Sequence, residues 1–177
     1  MGKNDSAAIL GGLPELNLPA AEISVRTVDA RPMILDPTRG MFVALTPEEW
    51  VRQHVVAFLV HHRSVPSGLI SIEKAFSLGD IVWRADIVVW DRTGVPVMIV
   101  ECKAPSCKIS QSTFDQVGRY NRVVGARYVV VTNGLDHYCY VAEPVEDRYS
   151  FISGIPDFAA MSSRSESSPT AHRDPSV

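Results

Sequence analysis

Two apolar runs of strand length, Arg84 to Trp90 and Val97 to Lys103, flank a turn at Asp91 to Pro96, and both carry charge where a buried strand tolerates little. Their β-branched content and the Asp-Arg-Thr-Gly turn read as a β-hairpin buried on both faces. Side chains alternate along a strand, so Glu101 and Lys103 project with Val97 and Ile99, while Cys102 points away with Met98 and Val100. A hairpin can set Asp86 beside Glu101. Burying two carboxylates and an ammonium is costly unless they pair or coordinate a metal. Ionised carboxylates repel each other, and a divalent cation reverses that balance; hard oxygen donors suit Mg²⁺, with Mn²⁺ as a substitute. With Lys103 beside such an ion, water can be oriented and deprotonated toward a phosphodiester while the metal stabilises charge on the phosphorus oxygens. The chemistry indicated is phosphodiester hydrolysis.

Asp86 followed by Glu101-Cys102-Lys103 resembles the signature of the PD-(D/E)XK nuclease superfamily. Gln116-Val117-Gly118-Arg119-Tyr120 looks like the Gln-x-x-x-Tyr motif of its RecB-like branch. From Leu45-Thr46-Pro47-Glu48-Glu49-Trp50-Val51-Arg52-Gln53-His54, through Arg84 to Val88 and Glu101 to Pro105, to Val131-Thr132-Asn133-Gly134, the chain is similar to the N-terminal domain family of type I restriction enzyme R subunits. The resemblance implies an α/β fold with a restriction-endonuclease-like αβββαβ core, a central mixed sheet flanked by helices. It implies a metal held by Asp86, Glu101 and the main-chain carbonyl of Cys102. Gln116 and Tyr120 would position DNA or orient Lys103; the plainer alternative makes Tyr120 a core aromatic whose hydroxyl bonds Gln116. Two further acids are candidates. Glu73 on the preceding strand either adds a carboxylate or faces solvent, and Glu49 occupies the superfamily's other usual place for an acid but is better explained as a helix cap.

The elements follow from local pattern. Arg31 to Leu45 reads as a hairpin or arm around Asp36-Pro37-Thr38-Arg39-Gly40. Thr46-Pro47-Glu48-Glu49 starts a helix to about His62, with Thr46 as N-cap and Glu49 completing a capping box. Trp50, Val51, His54, Val55, Phe58 and Leu59 form its apolar face. Leu69 to Phe76 and Ile81 to Trp90, joined at Gly79-Asp80, complete a three-strand meander with Val97 to Lys103. A second helix, Ser110 to Val124, has its apolar stripe at Phe114, Val117, Tyr120 and Val124. Arg127 to Thr132 and His137 to Ala142 form a hairpin turned at Asn133-Gly134.

With 177 residues and 46% hydrophobic content, the chain is expected to be one globular domain. Residues 1–30 read as a partly ordered extension, in which the broken first 20 form a short helix at most; 31–158 form the nuclease-like domain and 159–177 a disordered tail. The net charge of −3 excludes bulk attraction to nucleic acid, so DNA contacts must be local. Lys103, Lys108, Arg119, Arg122 and Arg127 against Asp115 form a basic surplus, with Lys108, Arg119 and Arg122 as the candidate phosphate contacts; a solvated helix face is the even alternative. His54, His61 and His62 read as satisfied or solvated rather than as ligands. Cys102, Cys107 and Cys139 have neither paired nor zinc spacing, as expected of reduced thiols in a cytoplasmic protein. No stretch approaches the ~18 apolar residues of a membrane span.

The departures from the family pattern also count. No phosphate loop is present, so no ATP site or translocating motor is expected, and no helix-turn-helix or zinc module reads sequence. Specificity would come from DNA structure, a specificity or motor subunit, or a homodimer. The function indicated is a Mg²⁺-dependent DNA endonuclease; the alternatives are a catalytically silent DNA-binding or assembly module of the same fold and an RNA-directed nuclease.

Overall fold

The structure, a computed structural model, describes residues 12–78, 81–143 and 148–163. Strands β1 (Val25–Val28), β2 (Arg31–Asp36) and β3 (Met41–Ala44) form a small antiparallel sheet, so the expected arm is present and gains a strand before it. Asp36, fully buried, holds the β2–β3 turn. Its Oδ1 accepts from the N–H groups of Thr38 (2.9 Å) and Arg39 (3.0 Å), and its Oδ2 accepts from Arg39 Nε (2.5 Å).

Helix α1 (Pro47–His62) begins at Thr46, whose Oγ1 accepts from Glu49 N at 3.0 Å, with Pro47 at the first position. Only half of the expected capping box is built. The Glu49 carboxylate turns instead to Arg52 and to Gln53 Nε2 (2.8 Å). The helix is also buried more fully than one stripe implies, because Arg52, Gln53 and Val56 lie inward with Trp50, Val51, Val55 and Leu59. His54 and Phe58, assigned to the apolar face, are half-buried.

The main sheet takes β4 (Ile70–Leu78), β5 (Ile81–Trp90), β6 (Pro96–Cys102), β7 (Tyr128–Thr132), β8 (His137–Glu143) and β9 (Arg148–Ile152) in that spatial order. All neighbours are antiparallel except β6 and β7. A parallel pair needs a crossover, and helix α2 (Gln111–Val124) supplies it. Helix, three strands, helix, strand therefore stand in the expected order, a mixed α/β core. β6 lies centrally and is buried from Val97 to Cys102, whereas β5 is buried on both faces only from about Ala85 onward.

Each face of the sheet carries its own core. One includes Val55, Leu59, Ile87, Met98, Val100 and Val130 under α1; the other includes Ala85, Val88, Ile99, Val117 and Val131 under α2. Strand β9 and a closing helix, α3 (Phe158–Ser162), extend beyond the sequence expectation, and α3 buries Phe158 and Met161. The expected domain boundary at residue 30 falls in the turn between paired strands β1 and β2, and Leu16 packs into the first core, so the chain does not divide there. The short leading helix, the Gly79-Asp80 turn and most of the expected tail lie outside the described residues; residues 12–24 hold no helix.

The β7–β8 connection spans residues 133–136 rather than a two-residue turn. Asn133 Oδ1 accepts from the N–H groups of Leu135 (3.0 Å) and Asp136 (2.8 Å). Gly134, at φ +84°, passes so close to the N-terminal segment that an added Cβ would lie 2.8 Å from Leu16.

Candidate active site

The β5–β6 register pairs Ile87 with Val100, which sets Asp86 level with Glu101 where the buried centre of the sheet opens toward solvent. Asp86 Oδ2 accepts from the Cys102 N–H at 2.7 Å, so the carboxylate is fastened to the neighbouring strand. Lys103 Nζ donates to Glu101 Oε1 at 2.6 Å, confirming the shared face that strand alternation indicates. Asp86, Glu101 and Lys103 are therefore brought together. Asp86 is paired with neither Arg84 nor Arg92. Its partner is Arg52 of α1, whose Nη2 donates to Asp86 Oδ1 at 2.7 Å. The same guanidinium bonds Glu49 and lies 3.2 Å from Glu48, so Arg52, only 7% exposed, holds three carboxylates.

Four acids, Glu48, Glu49, Asp86 and Glu101, thus meet two cations, Arg52 and Lys103. The charge is unbalanced, and the titration behaviour follows. Burial and then the Asp86 charge push the Glu101 carboxyl above the usual carboxylate range, and the same two causes in the same order raise Glu48. Burial alone would lower the Lys103 ammonium, but the Glu101 hydrogen bond and the charges of Glu101, Asp86 and Glu48 outweigh it and raise it. Arg52 is likewise raised, against burial, chiefly by Asp86 and Glu49. An excess of negative charge, partly buried and offering hard oxygen donors, suits a divalent cation. Among the described residues, no group of three or more His, Cys, Asp or Glu side chains is placed to hold a metal. Any centre here would rest on two carboxylates and a main-chain carbonyl.

The remaining candidates are more dispersed. Glu73 interrupts the β4–β5 ladder: Ile72 pairs with Ile87 and Lys74 with Ala85, while Glu73 between them adopts φ +50°, a left-handed conformation that costs about 1–3 kcal/mol. Its carboxylate is taken by Arg39 of the β2–β3 turn at 2.6 Å. Tyr120 stacks on Trp83 of β5 with ring centroids 4.6 Å apart, the packing half of the plainer alternative, without the hydroxyl bond to Gln116 that went with it. Gln116, one turn earlier, is exposed, and its side chain hydrogen-bonds no described residue. Lys108, Arg119 and Arg122 are exposed. His54 donates through Nδ1 to the Trp50 carbonyl at 2.8 Å, which satisfies it locally. Cys102 and Cys139 are buried free thiols and Cys107 an exposed one.

Arg52 and Glu48 were missed by sequence reasoning. The available signal was that apolar residues occur on every side of α1, so a charged residue among Trp50, Val51 and Val55 had to find buried partners.

A family model described as the type I restriction enzyme R protein N terminus matches residues 47–156, a span that contains every residue of this cluster. No curated protein matches the chain. Among solved structures, a fragment described as an HsdR subunit of a type I restriction enzyme from Vibrio vulnificus YJ016 is similar at 20% identity and a TM-score of 0.44. The match covers 64% of this chain and 24% of that one, so the chain spans under a quarter of that fragment's length.

Proposed function

The chain belongs to the type I restriction enzyme R protein N-terminal family, and from that premise we propose that it is a Mg²⁺-dependent endodeoxyribonuclease domain that hydrolyses phosphodiester bonds at Asp86, Glu101 and Lys103. The observation that carries the proposal is the charge excess at one level of β5 and β6, where two carboxylates and an ammonium share the mouth of a buried sheet. The donors fit Mg²⁺ or Mn²⁺: Asp86 and Glu101 would hold the ion with the Cys102 carbonyl. A divalent ion bound there supplies a Lewis acid for the phosphate and acidifies the attacking water.

The chain's own groups do the rest. Lys103 is an ammonium with donors left over from its bond to Glu101, and these hold water or a phosphate oxygen in line. Arg52 is a positioning residue that orients Asp86 from the helix behind it. Gln116 is free to meet DNA, and Tyr120, braced by Trp83, fixes the helix that carries it. DNA is the substrate, and a motor or specificity subunit, or a second copy, completes the assembly. A silent DNA-binding or assembly module is the second reading, favoured by one observation: Asp86 and Glu101 each already have a cation of the chain as partner.

The deciding experiment is cleavage of plasmid, linear duplex and single-stranded DNA by the purified chain in Mg²⁺, Mn²⁺ or EDTA, with Glu101→Ala alongside. Metal-dependent cutting that disappears in Glu101→Ala is the expected result. Binding without cutting on every substrate would favour the silent module.

A further inference from the structure

A cavity of about 580 Å³ lies between α2 and the β8–β9 end of the sheet, away from the acidic cluster and within the size range of ligand sites. Its wall is aromatic. Phe114 of α2 meets Tyr140 edge-on at 5.1 Å, Tyr140 tilts against Phe151 at 4.3 Å, and Tyr149 closes the side. Phe151, on the edge strand β9, is 66% exposed although it lines a concave site. The Tyr149 hydroxyl is satisfied, donating to the Gly118 carbonyl at 3.2 Å. The Tyr140 hydroxyl is not: the residue is 7% exposed, yet its oxygen has no hydrogen-bond partner among the described residues. A buried unpaired hydroxyl carries a desolvation cost and calls for an explanation. Burial also pushes this phenol well up, so it keeps a proton to donate. Arg119, exposed, stands at the rim.

The exposed ring of Phe151, an orphan donor–acceptor and the Arg119 guanidinium match a planar heterocycle carrying phosphate. We propose that this cavity receives one nucleotide of an unpaired strand, its base against Phe151 and Phe114, its edge at the Tyr140 hydroxyl and its phosphate at Arg119. A paired base is not a candidate, because its faces are covered by its neighbours in the stack and only an extruded or single-stranded base can enter. The inference rests on the nuclease reading for its choice of nucleic acid as the ligand, but on a separate set of residues.

The test is fluorescence anisotropy of a labelled octathymidylate with the full chain in EDTA. Phe151→Ala and Arg119→Ala are each expected to weaken binding about tenfold, the scale of losing one stacked base or one phosphate contact. Tyr140→Phe is expected to weaken it by a similar factor of about ten while leaving the thermal midpoint unchanged or higher, which a merely structural tyrosine would not do. Octamer binding by Phe151→Ala at wild-type strength, or none by the wild type, overturns the proposal. Displacement by equimolar thymidine 5′-monophosphate would assign the cavity to a free nucleotide and overturn the strand. The two readings fail separately. A wild type that binds the octamer through Phe151 but cuts nothing sinks the nuclease and keeps the cavity, whereas Glu101-dependent cutting with Phe151-independent binding does the reverse.

Discussion

Replacing Arg52 by alanine would strip the shared guanidinium from Asp86 and Glu49 while leaving both carboxylates largely buried. Removing one partner of a buried pair costs far more than the pair's net worth, so Arg52→Ala is expected to lose about 3–5 kcal/mol in urea unfolding. Lys103 behaves differently because it lies at the solvent side of the cluster, half-buried beside Glu101. Lys103→Ala should lower cleavage by about 100-fold or more, the scale of removing one donor aimed at developing charge, while Mg²⁺ still raises the thermal midpoint. Asp86→Ala should lose that metal-induced rise. Equal cleavage by Lys103→Ala and wild type would sink the assignment of Lys103.

At the scale of elements, the site depends on how three pieces meet: the β5–β6 hairpin, α1 behind it, and the β7–β8 loop that docks the N-terminal segment. Gly134 is the tightest of these joints. Alanine there would combine a positive φ with a Cβ 2.8 Å from Leu16 and 3.1 Å from Val51, so Gly134→Ala should cost about 2–4 kcal/mol. Urea unfolding should show a lower midpoint with an unchanged slope. A variant as stable as wild type would mean that the N-terminal segment does not pack there in solution. The turn at Asp36 works in the opposite sense: its carboxylate satisfies two backbone N–H groups and Arg39, and through Arg39 ties the small sheet to Glu73 of the large one.

Across the whole molecule, titrating groups pull stability in two directions. Burial lowers His54 below its ordinary value even though it donates to the Trp50 carbonyl. Its folded pKa lies under its unfolded one, near 6.5, so its contribution is complete above about pH 6.5 and is lost as pH falls through the folded value. Glu48 and Glu101, raised, run the other way, with a contribution present below their unfolded values and lost as pH rises. The difference between wild type and His54→Asn isolates the histidine. Thermal midpoints measured from pH 7.5 to 5.5 should fall more steeply for wild type, and parallel curves would show that His54 titrates alike in both states.

The helix from Pro47 to His62, the meander, the second helix and the pairing of Asp86 with Glu101 and Lys103 were legible in the sequence because each rests on short-range rules: cap chemistry, strand alternation, and a turn that sets two strands face to face. Those rules hold within a few residues and need no knowledge of what packs above. Arg52 and Asp86 are 34 positions apart, and the Glu49 carboxylate could be assigned to a cap until α1 was laid on the sheet and an ion pair outcompeted it. Strand β9, the orphan hydroxyl of Tyr140 and the cavity it lines are likewise long-range outcomes, created when β9 closes the edge of the sheet against α2. Local pattern determined the elements and the charges on one hairpin; which buried charges found partners was decided only by packing, because desolvation depends on everything that surrounds a group and not on its neighbours in the chain.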